Sequence, residues 1–396
     1  MATSVEPTLA AATRESILPT VSRIAKEIVR QYASEVDVEG RFPAEAIEAL
    51  REARLLSAMV PEEFGGIGAP YEEIAEACEI LGQQCASTAM VFAMHQIQVA
   101  CLVRHGQQSA FFRDYLRELC DRQYLLASAT TEAGIGGDVR SSICSVEQDP
   151  ATGMFELRKN APVISYGQQA DDILVTARRT PDSPPSDQVI VLVRRADRTL
   201  ERTGDWDTLG FRGTCSLGFQ LSAKAHIDQI LPQSYADISS QTMLPVSHTV
   251  WASLWLGIAT DAVKRARAFV RAEARKKPGT VPPGSLRLAE VMSVLQGFRA
   301  NVHDTTRHFI REWDNPEQLS SLGFAIRMNS LKVAASKLVV DVVSQALGIA
   351  GISGYRQGTP YSLGRHLRDA HGAGLMVNND RIYGNTAQML LVYKDD

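Results

Sequence analysis

The sequence predicts an α+β chain in three parts: an N-terminal all-helical domain (1–122), a small antiparallel β-barrel or sandwich domain (123–235) and a C-terminal four-helix bundle (236–396). Three observations predict it. Apolar residues recur at helical spacing through the first 120 positions, short β-rich runs crowd between Leu125 and Leu221, and long helical stripes return from about Thr242. The middle shows no alternation of strand and helix, which argues against a doubly wound nucleotide fold.

In the first part, Phe42-Pro43 opens a run with Ile47, Leu50, Leu55 and Leu56 on one helical face. Val60 to Pro70 then holds three glycines and two prolines, too many for a regular element. The helical period resumes over Tyr71–Leu81 and Ser87–His105. Strands are expected at 125–131, 155–158, 162–166, 172–177, 188–193 and 217–221. The turn formers 149–153 and 180–185 separate some of them. The stripe Val250, Leu254, Ile258, Ala262, Ala266 and Val270 belongs to a helix ending near Lys277-Pro278-Gly279. Helices over about 286–313, 317–347 and 380–392 complete the bundle.

Composition narrows the function classes. With 45% hydrophobic and 22% charged residues the chain reads as an ordinary globular protein, and a net charge of −4 offers no polyanion-binding surface, so no nucleic-acid partner is expected. The six cysteines form no Cys-x-x-Cys pair and no zinc spacing, which suits buried thiols in a reducing compartment and predicts no metal. The start has no basic and apolar leader, and the apolar window Val250–Val263 is short and carries Asp261. A cytoplasmic protein without a membrane partner is therefore expected.

The stretch Ala127 to Asp138 carries the chemistry. A strand of small residues runs into a glycine-rich loop, with hydroxyls at Ser128, Thr130, Thr131 and, on a later strand, Ser165. Gly134, Gly136 and Gly137 allow bare backbone N–H groups to approach an anion. The spacing is not that of a dinucleotide fingerprint, because Val139 stands where the third glycine belongs. A turn with no ligand is the plainer reading of this motif by itself.

Four sets of residues in order give it more weight: Val60 to Pro70 with Cys85-Ala-Ser-Thr-Ala89; Thr131-Glu-Ala-Gly-Ile-Gly-Gly-Asp138; Arg275-Lys-Lys-Pro-Gly279 with Gln345-Ala-Leu-Gly-Ile-Ala-Gly351; and Leu367-Arg-Asp-Ala370. Over nearly its whole length the chain resembles the acyl-CoA dehydrogenase superfamily, which includes flavin monooxygenases of the same fold. The resemblance implies an FAD between the β domain and the bundle, closed over by a neighbouring subunit of a homodimer or homotetramer. Ser128, Thr130 and Thr131 would line the ring edge, Gly136 and Gly137 the pyrophosphate side, and Val163, Ile164 and Ser165 the flavin N5 region. Arg275, Gln345, Gly348 and Gly351 would meet the partner's cofactor. The plainer reading of Arg275 is a cation at a helix C-terminus.

The dehydrogenase chemistry of that family needs a carboxylate to take the substrate α-proton. Counting from Arg368-Asp369-Ala370 puts Val377 at the base position, or Asn378 with one inserted residue, and neither abstracts a proton. The alternative location, Pro245 to Val250, also lacks an acid. Asp380, the nearest acid and a further candidate for the cofactor site, reads more simply as a helix N-cap. His95 and His248 offer imidazole bases, each with a hydrogen-bonded interior role as its plainer reading.

Three functions follow as expectations. One is an FAD-dependent dehydrogenase acting with an atypical base on an acyl-CoA or carrier-protein thioester, and passing electrons to an acceptor. A second is a monooxygenase using oxygen and reduced flavin supplied by a reductase. The third is a flavin-free member of the fold.

Overall fold

The structure, a computed structural model, describes residues 14–136 and 138–394. The N-terminal part begins with α1 (Leu18–Ile24), which continues through one π-helical turn into α2 (Arg30–Glu39). Gly40, left-handed at φ 63°, ends that helix. Then come α3 (Ala44–Glu52), α4 (Tyr71–Gly82), α5 (Ala86–His105) and α6 (Ala110–Arg122). Helix α5 is long and apolar enough to cross a bilayer by composition. Nearly all of it is buried, against α4, the bundle and the first strand, so its apolarity is that of a core helix.

The middle domain contains β1 (Leu126–Ala129), β2 (Glu147–Asp149), β3 (Met154–Ile164), β4 (Asp172–Arg178), β5 (Gln188–Val193), β6 (Arg198–Gly204) and β7 (Leu217–His226). They form two open sheets, β1-β4-β5 and β2-β3-β7-β6. The second is antiparallel throughout. In the first, β4 and β5 are antiparallel, but β1 lies parallel to β4, because the chain crosses over through the glycine loop and the β2–β3 hairpin before returning. Strands β4 and β5 are buried along almost their full length, which is why Val189-Ile-Val-Leu-Val193 reads as a continuous apolar run, whereas β3 alternates buried and exposed. The expected runs 155–158 and 162–166 fuse into the single strand β3. Lys159, polar enough to break the pattern in sequence, is buried on an ion pair inside it.

The C-terminal part comprises α7 (Tyr235–Ile238), α8 (Leu244–Lys276), α9 (Gly284–Arg311), α10 (Pro316–Leu319), α11 (Leu322–Tyr355), α12 (Gly364–Gly372) and α13 (Asn379–Leu390). Helices α8, α9 and α11 pack on one another, and α12 and α13 complete the bundle against α11. Helix α12 adds an element to the four expected. The first half of α8 is buried on every side because α4 and α5 cover the face that the bundle leaves free. Gly82 and Gly257 make that crossing possible: a Cβ on Gly257 would lie 2.3 Å from Glu79 O, and one on Gly82 2.5 Å from Leu254 O.

Candidate functional site

The glycine loop leaves β1 and is held from both sides. Thr131 Oγ1 donates to Val163 O at 3.0 Å, and Ala133 N–H donates to Asn160 O at 2.9 Å, docking the loop on β3. Glu132 is buried, and its carboxylate accepts from Cys144 N–H (2.7 Å), Ile143 N–H (3.1 Å) and the Ser142 hydroxyl (2.8 Å). Its counter-charge is the buried Lys159, 3.3 Å away, which also donates to Thr176 O at 2.7 Å. Burial pulls the Lys159 pKa below its ordinary value. Glu132 thus ties the two ends of the loop together. Sequence reasoning quoted it only as part of a motif, and a lone Glu between the strand of small residues and the glycines was the available signal.

Gly134 and Gly136 have φ of 94° and 59°, conformations that favour glycine, and a Cβ on Gly136 would meet nothing within 4 Å. That side of the backbone is open to an incoming group. Gly137 lies outside the described residues. Ser128, Thr130 and Val163 are half-buried, whereas Ile164 packs wholly into the core.

Ser165 follows β3 and heads a buried chain of hydroxyls. Its Oγ lies 2.8 Å from Ser216 Oγ, which lies 2.7 Å from Thr214 Oγ1, which donates to Phe211 O at 2.8 Å. Because the Thr214 proton is committed to a carbonyl, Ser216 must donate to Thr214 and Ser165 to Ser216. Ser165 therefore offers lone pairs outward and is set up to accept a hydrogen bond.

The segment where residue counting puts the missing base is joined to the glycine loop through Arg381 of α13, which bonds Gly136 O. Val377 is left-handed at φ 47°, an unfavourable conformation for a β-branched residue. Its carbonyl is held at 2.7 Å by the ammonium of Lys332 on α11. Lys332 is fully buried and also donates to Asn379 Oδ1 at 2.8 Å. No carboxylate pairs with it among the described residues. Burial lowers its pKa from 10.5 to about 8. The N-cap of α13 is Asn378, whose Oδ1 accepts from Asp380 N–H at 2.8 Å, so Asp380 is the capped residue and not the cap. Lys332 was not picked out from the sequence, where it is one lysine in a helical stripe.

The two histidines differ sharply. His95 is fully buried, with Nε2 2.7 Å from Leu56 O and Nδ1 accepting from Leu126 N–H at 2.9 Å. Both ring nitrogens are consumed as a bridge between the N-terminal domain and β1, and burial pulls the pKa down to about 4. His248 donates from Nδ1 to Met328 O at 3.1 Å, while Nε2 has no hydrogen bond among the described residues. Burial again depresses the pKa to about 4, so its Nε2 lone pair is free at neutral pH. The Trp251 ring lies 6.2 Å from that of His248, and the Lys332 ammonium 5.9 Å from the Trp255 ring.

Arg275, Gln345, Gly348 and Gly351 lie elsewhere. Arg275 is exposed in the last turn of α8, 27 residues beyond His248, which is about 40 Å along a helix axis at about 1.5 Å per residue. Gln345 holds Asp341 at 2.9 Å, and Gly351, at φ 55° and ψ −139°, interrupts α11. A Cβ on Gly348 or Gly351 would meet nothing within 4 Å. Gly348 borders a cleft of about 410 Å³ that is also lined by Phe269, Glu273 and Arg287. No hydrogen bond joins this second group to Ser128, Thr130, Thr131 or Ser165 among the described residues.

Sequence models of the acyl-CoA dehydrogenase N-terminal and C-terminal domains match residues 11–137 and 249–379. The chain belongs to the acyl-CoA dehydrogenase family. Among curated members it is 25% identical to the mitochondrial isovaleryl-CoA dehydrogenase of Oryza sativa subsp. japonica, covering 90% of this chain and 86% of that one. It is 24% identical to the dibenzothiophene monooxygenase of Mycolicibacterium goodii, covering 84% of each. The fold matches that of FMN-bound TdsC from Paenibacillus sp. A11-2 with a TM-score of 0.82 at 20% identity, over 96% of this chain and 98% of that one. It also matches a nitrososynthase from Micromonospora carbonacea var. africana, again with a TM-score of 0.82, at 21% identity over 95% and 96%. Relatives of this acyl-CoA dehydrogenase family member thus include both dehydrogenases and flavin monooxygenases. The open backbone at Gly136 and the outward lone pairs of Ser165 fit a flavin edge.

Proposed function

We propose that this chain is a flavin-dependent monooxygenase. The observation that supports the proposal is the buried Lys332 ammonium on the Val377 carbonyl: the residue count from Arg368-Asp369-Ala370 puts the base at Val377 or Asn378, and the charged group held beside that segment is a cation, not a carboxylate. A carboxylate is also missing from the whole segment His371 to Asn379. The flavin would be FAD or FMN, with Ser128, Thr130, Thr131, Gly136 and Ser165 along the ring and its phosphate side. Arg275, Gln345, Gly348 and Gly351 would come from a second copy. An outward-accepting Ser165 suits a reduced ring, whose N5 carries a hydrogen, and this agrees with a reductase as electron donor.

Reduced flavin bound there would deliver two electrons to dioxygen, so that with two protons one oxygen atom joins the substrate and the other leaves as water. The chain's own groups exclude solvent and place the substrate. The indoles of Trp251 and Trp255 make an apolar wall, the neutral His248 Nε2 accepts a substrate hydrogen, and Lys332 supplies a fixed positive charge. His95 is proposed as a structural bridge.

The dehydrogenase reading draws support from the isovaleryl-CoA dehydrogenase relative, and one experiment separates the two. Flavin-loaded protein is mixed anaerobically with a panel of acyl-CoA thioesters, and the flavin absorbance is followed. Unchanged absorbance, with oxygen-dependent product once reduced flavin is supplied, is expected. Bleaching by a thioester alone would overturn the monooxygenase reading.

A further inference from the structure

A small cavity of about 60 Å³ lies where α4, α8 and α9 meet, and it shares no lining residue with the glycine loop, Ser165 or Lys332. Glu72, Glu76 and Glu79 reach it from one face of α4, since residues four and three apart stand one above another on a helix. Its floor is buried: Glu79 is 9% exposed, Thr306 on α9 5% and Ser253 on α8 4%. Glu72 and Glu76 stand exposed at the rim, where α9 adds His303 and Arg307.

The acceptors on the floor are largely unspent. Thr306 Oγ1 has no hydrogen-bond partner among the described residues. The Ser253 hydroxyl makes no hydrogen bond among them either. Glu79 meets only His303 Nε2 at 3.4 Å and Arg299 at 3.8 Å, contacts too long to use up the lone pairs of a carboxylate. Arg299 makes its closer contact with Thr260 Oγ1, at 3.2 Å.

The charge balance of the lining is negative, three carboxylates against one arginine and one histidine. Neighbouring Glu73 is paired with Arg14 at 2.6 Å, whereas Glu72 and Glu76 have no ion pair among the described residues. Burial and then the charge of Glu79 hold the Glu76 pKa above its ordinary value, an effect that His303 opposes without cancelling. An acidic helix face in water needs no ligand. What sets this one apart is a buried carboxylate beside two buried hydroxyls, one of them orphaned.

The occupant follows from the donor count. Hard divalent cations gather several oxygens at about 2.0–2.6 Å, and among the described residues no three His, Cys, Asp or Glu side chains come together to hold a metal ion. A primary ammonium brings three N–H donors and no acceptor, which suits one carboxylate and two hydroxyls. The cavity is also too small for a ring, since benzene occupies cavities of about 150 Å³. We propose that this cavity binds the terminal ammonium of a small aliphatic amine, held by Glu79, Ser253 and Thr306. A monoamine and a diamine share that head, and the second ammonium of a diamine would lie against Glu76 and Glu72 at the rim.

The test is calorimetric titration of methylammonium, putrescine and tetramethylammonium chlorides into the full chain at low, matched ionic strength, alongside Glu79→Gln and Thr306→Val. Saturable 1:1 binding of the first two is expected, with Kd of about 1–10 mM. Glu79→Gln should weaken it about tenfold or more and Thr306→Val about threefold to tenfold, and tetramethylammonium, which has no N–H, should not bind. Thr306→Val deletes a hydroxyl that bonds nothing in the protein, so its urea midpoint without amine should stay at the wild-type value and its binding is read on a folded chain. Tighter binding of putrescine identifies a diamine and equal binding a single ammonium; either supports the site. No saturable binding of either amine, equal binding of tetramethylammonium, or wild-type affinity in Thr306→Val would each overturn it. Neither flavin content nor turnover enters the readout, so the result is independent of the monooxygenase reading.

Discussion

Replacing Lys332 by Met tests whether a buried charge stands on the Val377 carbonyl. In the folded chain the Lys332 pKa is about 8, against 10.5 for a free lysine. Below pH 8 both states carry the proton, and the folded state bears the full cost of burying the charge. The difference corresponds to roughly 3 kcal/mol at about 1.36 kcal/mol per pH unit. Between pH 8 and 10.5 the unfolded chain holds more protons than the folded one, so stability from this group rises with pH. By pH 10 roughly 2 to 3 kcal/mol of the cost is gone. K332M removes the charge but leaves Val377 O without its donor and Asn379 Oδ1 with only the Ser336 hydroxyl at 3.3 Å, at about 1–3 kcal/mol for each lost bond. The two effects nearly cancel at pH 7, where the variant should match wild type within about 2 kcal/mol, whereas at pH 10 the lost bonds dominate and the variant should be clearly weaker. Urea denaturation of both proteins at pH 7 and pH 10 gives the comparison, and other groups titrating in that window drop out of the difference. A stability difference independent of pH would show that Lys332 is not buried as a charge, and the argument from a buried cation would fall with it.

Other substitutions probe the glycine loop, Ser165 and His248. Glu132→Ala leaves the buried Lys159 unpaired and frees the Ile143 and Cys144 N–H groups; a loss of about 3–5 kcal/mol in chemical denaturation is expected, together with poorer flavin retention. Ser165→Ala should weaken flavin binding by about threefold to tenfold, in line with one hydrogen bond of about 0.5–1.5 kcal/mol, and fluorescence titration with FAD and FMN measures it; unchanged affinity removes Ser165 from the ring edge. His248→Asn should slow turnover with flavin content intact. Because burial lowers the His248 pKa from 6.5 to about 4, the unfolded chain binds the extra proton between those values, so stability from this group falls as pH drops through 6.5 and the loss is complete below 4; His248→Asn should remove that part of the pH dependence in urea denaturation between pH 7 and pH 4.

The order of helices, strands and helices was legible because periodicities of 3.6 and 2 are local properties of a sequence. The fully buried strands β4 and β5, the turn at 149–153 and the long stripe on α8 all came through in that way. Pairing was not legible. The parallel contact of β1 with β4, and the fusion of two short runs into β3 along β7, depend on partners 46 to 72 residues away in the chain, which no local pattern encodes. Helix α12 was missed because its nine residues are short and polar, and it is held by neighbours on α11 and α8.

The same division runs through the site. Sequence alone determined the supply of chemistry: hydroxyls and glycines after β1, a serine after β3, and no acid from His371 to Asn379. Tertiary structure decided which groups are free to use it. It closed both nitrogens of His95 on backbone atoms, left Nε2 of His248 open, and moved the α13 cap from Asp380 to Asn378. It also brought Lys332, 45 residues before Val377 in the chain, onto the carbonyl of that residue. The physical reason is that a residue's type fixes what it can donate or accept, whereas burial and partners, set by distant segments, fix whether that capacity is spent.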